Sequence, residues 1–552
     1  MNFFSDIENS QLDAARRAVD PATTTIVYTT WENPFAKGGG IIAVASNYGA
    51  ELVRQGREVV MLSPYHTFLS SAPQPGVQVK RVCEGNFSFR GEQIAFELHE
   101  HIDTSRTRWV LIKAAPFFES GAGQPDPYQP YESLLDESLL FCKAVPSALN
   151  ALGLTRNVLL HLQDWQTAGA ALTVKEALLE GELETAACVL TMHNPYDRGM
   201  ESDGLSRLSD RVPETVYQWM LPLMDGPTST VSTSFAEELT EDPLQTGCFA
   251  RHLQSWLKAN PIIGVNNGLF GKAVNPYPEG ATEAGLLEAK LLKRQTMLTL
   301  LGEFEDDRVI GALNFDELHE KPEIPIFMMF GRLDPGQKGF DVLAGAIEAI
   351  CEQRVDARFI LTPAVIDQNS PFANSEGSRR QLEGVAQLGL LAHKLPGRVV
   401  VYPFRLTSGY MEAMAGSTFA IFPSLYEPFG GATEPYLSGT PVIARRTGGL
   451  QQQVVDGETG LLYKEQTSAD LSQIESNWRD LQAANASERT QISLFRDMVS
   501  SLTDALKAAC ELYQKDQSRY ALMLSKLYSK ACQFSWEKTA AEYQEIYEQA
   551  CS

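Results

Sequence analysis

Along the 552 residues, short apolar runs alternate with stretches whose apolar positions recur at helical spacing. "TTTIVYTTW" (23–31) is β-branched and reads as a strand. A loop, "ENPFAKGGG", follows, and then "IIAVASNYGAELVRQG". There Ile41, Ala45, Tyr48 and Leu52 fall at i, i+4, i+7 and i+11, one apolar face of a helix. "REVVMLSPY" reads as the next strand and completes a βαβ unit. The alternation returns at "VLLHLQDW" (158–165), ahead of helix-like "TAGAALTVKEALLEG", and at "ACVLTMHN" (187–194). A second series opens with "IPIFMMFGRL" (324–333) and "FDVLAGAIEAICEQ" and continues through "ARFILTPA", "RVVVYPF", "FAIFPS" and "TPVIARR". Two series of β/α units predict an α/β protein with two doubly wound, Rossmann-like domains.

The Pro/Gly-rich "NPYPEGATEAG" separates the two series and puts a hinge near residues 265–275. The predicted domains are 1–268 and 269–530, with a last segment at 531–552. The first 22 residues read as a polar helix or arm, and no internal repeat appears.

Composition narrows the classes. A net charge of −23 disfavours nucleic acid or an anionic membrane as partner, but leaves room for a small anion held by a few cations. No run of 18 apolar residues and no leader-like N-terminus occurs, so the cytoplasm is the expected location. Eight cysteines lie scattered without a C-x-x-C pair, which argues against a zinc site or a disulfide framework. No D-x-D occurs either, so a metal bridging phosphates is not indicated.

The unusual polar residues gather just after predicted strands, where open α/β sheets bind ligands. "AKGGG" (36–40) offers backbone N–H groups, a helix N-terminus and Lys37 to an anion, although a turn alone also explains the glycines. "GRLDPGQKG" (331–339) departs from a phosphate P-loop: it has one residue too many before Lys338 and no Ser/Thr after it. Arg332 and Lys338 still suit a diphosphate, and solvated cations are the plainer explanation. His193 fits a hydrogen-bonded core position, Asp164 a helix N-cap, and Asn267-Gly268 a turn. In "LYEPFGGATEP", Glu427 and Glu434 flank a bare Gly430-Gly431 backbone. Such amides hold sugar hydroxyls while a carboxylate offsets positive charge at an anomeric carbon; an N-cap role for Glu427 is the alternative.

Taken in order, "AKGGGIIAVA", "HLQDWQT", "TMHN", "TVSTSFAEEL", "NNGLF", "GRLDPGQKGFD", "GYMEAM", "PSLYEPFGG", "RRTGG" and "FSWEKTAAEYQEIY" form a set. That set resembles the bacterial glycogen synthases and plant starch synthases, retaining glucosyltransferases of the GT-B fold with a cleft between two domains. The resemblance spans roughly 23 to 547. It implies that Lys37, Gly39 and Gly40 contact the donor's phosphate, and that His193 binds the glucose, with Asn194 beside it and Asp164 near the active centre. It implies Arg332 and Lys338 on the diphosphate, Tyr410 stacked on the base, and Glu427 beneath the glucose with the amides of Gly430 and Gly431. Thr447, Gly448 and Gly449 then line the donor site, and Glu434 resembles a second glutamate of the broader GT-B group, one residue closer to the first. The last helix, within 531–552, is expected to return to the N-terminal domain.

The sequence departs from the family pattern K-x-G-G-L-G-D at Ile42 and Ala43, and from N-G-[IV]-D at Leu269 and Phe270. The expected reaction is metal-independent and cofactor-free transfer of glucose, with retention, from a nucleotide-diphosphate sugar to a hydroxyl. ADP-glucose is the favoured donor and the end of an α-1,4-glucan the favoured acceptor. Two alternatives stay open: a small-molecule or other non-glucan acceptor with an ADP- or UDP-sugar, and a GT-B protein that binds carbohydrate or nucleotide without catalysis.

Overall fold

The structure is a computed structural model that describes residues 3–66, 79–118, 127–128, 133–197, 215–365, 376–404, 406, 408–466, 468 and 470–552. The chain divides into two compact units. Unit 1 is Met1–Thr240, Phe249–Phe270 and Ser535–Ser552; unit 2 is Glu241–Cys248 and Gly271–Phe534.

Among the described residues of unit 1, nine strands form one sheet. They are β1 (Thr25–Thr29), β2 (Val59–Pro64), β3 (Lys80–Phe89), β4 (Glu92–Ile102), β5 (Arg108–Lys113), β6 (Val158–Gln163), β7 (Ala186–Met192), β8 (Ser229–Thr230) and β9 (Ile263–Gly264). Their order is β3-β4-β5-β2-β1-β6-β7-β8-β9. Pairing is parallel from β5 through β9, while β3 and β4 add an antiparallel ribbon at one edge. The chain reverses direction across the sheet at β1, which pairs with β2 on one side and β6 on the other. That switch point leaves a crevice outside the carboxyl ends of β1 and β6.

The apolar spacing read in the sequence is the face that packs. Helix Ile41–Arg54 buries Ile41, Ala45, Tyr48 and Leu52. The terminal helix Trp536–Cys551 joins the same core through Tyr543, Ile546, Tyr547 and Ala550. It approaches closely because Gly268 has no side chain: a Cβ there would lie 2.5 Å from the Trp536 nitrogen. The glycine of Asn267-Gly268 therefore serves helix packing, not the turn that the dipeptide suggests.

A polar thread runs through this core. Tyr547 Oη lies 2.8 Å from Tyr48 Oη and 2.9 Å from His161 Nδ1. His161 Nε2 contacts Thr191 Oγ1 at 2.7 Å, and Thr191 contacts Ser229 Oγ at 2.7 Å and Tyr543 Oη at 3.2 Å. Every group is satisfied, as buried polar groups must be. Burial pushes the His161 imidazole down to about 3, so it is neutral at pH 7.

Among the described residues of unit 2, seven strands form a second sheet in the order β10-β13-β12-β11-β14-β15-β16. These are β10 (Ile310–Gly311), β11 (Ile326–Arg332), β12 (Arg358–Ala364), β13 (Val399–Val401), β14 (Phe419–Phe422), β15 (Val442–Arg445) and β16 (Gly460–Tyr463). All neighbours are parallel except β10 with β13. The switch point is β11, between β12 and β14. Glu241–Cys248 belongs to this unit although the chain on both sides of it belongs to unit 1.

The thread predicts the effect of one missing oxygen. Tyr547→Phe leaves His161 Nδ1 and Tyr48 Oη short of a partner and is expected to destabilise unit 1 by about 1–3 kcal/mol. A urea midpoint equal to that of the parent contradicts a structural role for the thread.

Candidate functional site

In unit 1, β1, β6 and β7 lie side by side, so the residues after them share one edge of the sheet. Asp164 follows β6 with φ 56° and ψ 179°. That backbone region is close to glycine-only and costs about 1–3 kcal/mol for other residues. Several bonds hold it there. Its own N–H donates to Thr191 O at 3.0 Å. Its Oδ1 accepts from His193 N at 2.6 Å, Asn194 N at 3.3 Å and Tyr217 Oη at 3.1 Å. Asp164 stands at the N-cap position of the helix Trp165–Ala168, but its side chain makes no cap bond there. The carboxylate instead fixes the backbone that presents His193.

His193 is buried, and its Nε2 lies 2.8 Å from Gln163 Oε1. With Oε1 as acceptor, the proton sits on Nε2 and Nδ1 keeps its lone pair. Burial pushes the imidazole down to about 4, so His193 is a neutral dipole at pH 7. Asp164 moves the other way: burial raises it to about 7, against the bonds that favour its charged form. Gln163 and Tyr217 escaped the sequence reading. Gln163 is the inward position of an apolar strand, and Tyr217 comes from a distant helix with no motif of its own.

The glycine loop holds an unexpected tenant. Glu32, buried in the loop after β1, accepts from Gly39 N at 3.1 Å and Ile42 N at 3.3 Å through Oε2. Tyr128 Oη donates to its Oε1 at 2.7 Å. The partial positive charge of the helix Ile41–Arg54 thus already faces a carboxylate. Burial raises the Glu32 carboxyl above its ordinary value. Lys37, Gly39 and Gly40 are exposed. The expectation that Gly39 offers a free N–H to an outside anion is therefore corrected, and Lys37 remains as the exposed cation of the loop.

In unit 2 the predicted residues converge more tightly. The loop after β11 turns on Asp334, whose Oδ1 accepts from Gly336 N at 2.9 Å and whose O accepts from Lys338 N at 2.8 Å. Gly339 follows with φ 71°, and a Cβ there would lie 2.3 Å from Pro423 O. That close approach seats Lys338 against the loop after β14. Lys338 Nζ pairs with Glu427 Oε2 at 2.6 Å, and Ser424 Oγ donates to the same oxygen at 3.0 Å. Glu427 caps no helix; the N-cap of Thr433–Ser438 is Ala432. Gln337 joins the two loops. Its Oε1 accepts from Arg332 Nη2 at 3.2 Å, and its O accepts from Leu425 N at 2.7 Å.

The Gly-Gly loop is pinned from behind by Gln453, which is fully buried. Its Nε2 donates to Phe429 O at 2.8 Å and its Oε1 accepts from Ala432 N at 2.9 Å. Gly449 N donates to Glu427 O at 3.0 Å, and a Cβ on Gly449 would sit 1.9 Å from Phe429 O. Thr447, Gly448 and Gly449 are all buried, so they brace the loop. Gly430 has φ 92°, which only glycine adopts easily, whereas Gly431 has ordinary backbone angles.

Beside these residues a cavity of about 570 Å³ opens at the carboxyl ends of β11 and β12. Phe330, Gly331, Thr362, Phe404 and Tyr410 are among the residues lining it. Burial and the nearby charge of Glu434 raise the Tyr410 hydroxyl. Burial raises Glu434 too, while Lys338 pulls it down, so Lys338 acts on both glutamates. A flat apolar wall next to paired cation and carboxylate suits a ligand with a ring at one end and negative charge at the other. Among the described residues, no cluster of His, Cys, Asp and Glu has the makings of a metal site.

Asp164 yields a pH test. Its folded value of about 7 stands above the ordinary 3.8, so the folded chain holds more protons between those limits. Stability from this group is therefore lost as pH rises through that window. Asp164→Asn keeps an oxygen for all three donors. Its stability relative to the parent should grow with pH up to about 7, by at most about 1.4 kcal/mol per unit, then level off. Identical differences in urea midpoint at pH 5 and pH 8 contradict this.

Known proteins divide along the same line as the two sheets. Residues 25–258 match the starch synthase catalytic domain and residues 324–475 match the glycosyl transferases group 1. The glycogen synthase of Opitutus terrae is 25% identical, over 93% of this chain and 97% of its own. That of Fervidobacterium nodosum is 23% identical, over 94% and 97%. The catalytic domain of starch synthase IV from Arabidopsis thaliana, bound to ADP and acarbose, superposes with a TM-score of 0.67 at 20% identity, covering 96% of this chain and 99% of that one. Sucrose-phosphate synthase from Thermosynechococcus elongatus gives a TM-score of 0.51 at 19% identity, over 95% and 98%. The motif order, the two switch-point sheets and these matches agree: the chain is a glycosyltransferase of the GT-B fold, similar over nearly its whole length to glycogen synthases and starch synthases.

Proposed function

We propose that this glycosyltransferase moves glucose, with retention of configuration, from a nucleotide-diphosphate sugar to the end of an α-1,4-glucan. ADP-glucose is the favoured donor. The observation that carries the reading is the Lys338–Glu427 pair, 2.6 Å apart, beside a cavity walled by Tyr410. In this reading the base lies against Tyr410, and Glu434 faces the sugar of the nucleotide. The diphosphate meets Arg332 and Lys338. The Gly430-Gly431 backbone and Thr447, Gly448 and Gly449 shape the seat of the hexose.

The pair also suggests how charge moves. The Lys338 ammonium is balanced by Glu427. A diphosphate draws that ammonium toward itself, and the released carboxylate then faces positive charge building at the anomeric carbon. Such preorganised charge is worth most where it need not reorganise during the reaction. His193, neutral and held by Gln163 and by the backbone bonds to Asp164, acts as an oriented dipole for a sugar hydroxyl, with Asn194 beside it. Lys37 adds the exposed cation of the glycine loop. The leaving group is met by cations alone, so the reaction needs neither metal nor cofactor. The cytoplasm, where nucleotide sugars are made, fits this activity. The resemblance to relatives that carry the glycogen synthase name, and to a starch synthase solved with ADP and acarbose, supports both substrates.

Nucleotide release with ADP-glucose and UDP-glucose, with and without maltooligosaccharides, tests the reading. ADP release that depends on the glucan, gives lengthened chains and persists in EDTA is expected. Turnover with a small-molecule acceptor but no chain elongation moves the activity to that acceptor class, and binding of ADP without any transfer excludes an enzyme. Arg332→Ala is expected to lower turnover by ~10²-fold or more; unchanged turnover removes Arg332 from the mechanism.

A further inference from the structure

At the opposite end of the unit 2 sheet, where β11 and β12 begin, the long helix Glu283–Gly302 buries two cations one turn apart, Lys290 and Arg294. Their situations differ. Lys290 Nζ donates to Ala415 O at 2.8 Å, Gly439 O at 2.9 Å and Thr440 Oγ1 at 2.7 Å, so all three of its protons are placed. Arg294, only 2% exposed, makes one weak bond, from Nη2 to Leu318 O at 3.4 Å. Its Nε and Nη1 are buried with no partner among the described residues.

The neighbours do not supply the missing charge. Arg358, the first residue of β12, lies close enough to repel Arg294, and Lys290 and Arg294 repel each other. Arg358 spends its own terminal nitrogens on Glu317 and Asp356, and its buried Nε is also without a partner. Tyr513 and Tyr520 face Arg294, but their hydroxyls donate to Pro322 O at 2.8 Å and Thr418 O at 2.9 Å. Glu323 attracts Arg294 from the exposed side without forming an ion pair within 4 Å. A desolvated guanidinium in that setting is costly unless something negative meets it.

We infer that Arg294 holds a small inorganic anion of halide size, chloride in practice, on its Nε and Nη1 edge. The residue's burial excludes a carboxylate or phosphate on a larger molecule. The seat lies at the amino ends of the strands, whereas the Lys338–Glu427 pair lies at their carboxyl ends. The anion therefore acts on the stability of unit 2 and stands outside the transfer reaction.

Thermal unfolding of the full chain, with chloride replaced by gluconate at fixed ionic strength and pH, reads this directly. Chloride is expected to raise the midpoint of the unit 2 transition by about 2 °C or more. Arg294→Met removes the cation that needs the anion. Its midpoint should be equal in both salts and above that of the parent in gluconate. Arg294→Lys, which keeps a charge but loses the planar edge, should show a reduced chloride effect. Chloride-35 line broadening should follow the same order, with the parent strongest. A parent that melts at one temperature in both salts overturns the inference. So does an Arg294→Met variant that keeps the full chloride effect.

Discussion

A lysine and a glutamate held 2.6 Å apart give unit 2 its chemical character. Neither is placed by its own side chain alone. Lys338 reaches the pair because Gly339 lets the backbone pass against Pro423, and Glu427 because Gln453 and Gly449 brace the loop around it. An enclosed ion pair of this kind adds little net stability over an apolar contact. The surrounding bonds are thus better understood as holding charge ready for a ligand than as holding the fold together.

Unit 1 uses the same strategy with different groups. There the held element is a neutral histidine, set by a glutamine on its ring and by an aspartate on its backbone. The aspartate sits in a backbone region that residues with a Cβ avoid, and the bonds around it make that conformation affordable. In both units, then, a residue that meets substrate in the proposed reaction is fixed by buried amide or carboxylate groups beside it.

Much of this was legible in the sequence, for a physical reason. Parallel strands buried on both faces read as unbroken apolar runs, so β1, β2, β6, β7 and β11 through β15 stood out. The ribbon β3–β4 did not: it lies at an edge, most of β3 faces solvent, and its alternation is blurred. The two-residue strands β8, β9 and β10 carry too little pattern to see. The candidate site residues stand in motifs after strands and could be picked out there, whereas the residues that orient them could not. Gln163 acts on the ring of a distant histidine, Gln337 on the Arg332 guanidinium and, through its own carbonyl, on Leu425, Gln453 on the backbone of a distant loop, and Glu32 on the amides of the glycine loop, and no spacing in the chain announces such partners. The excursion Glu241–Cys248 into unit 2 was invisible for the same reason.

The most direct test is a crystal structure of the protein with an unreactive ADP-glucose analogue. The account predicts the base against Tyr410, the diphosphate on Arg332 and Lys338, and the Lys338–Glu427 contact lengthened as the ammonium turns to phosphate. A nucleotide seated elsewhere, with that pair still closed at its present distance, would contradict it.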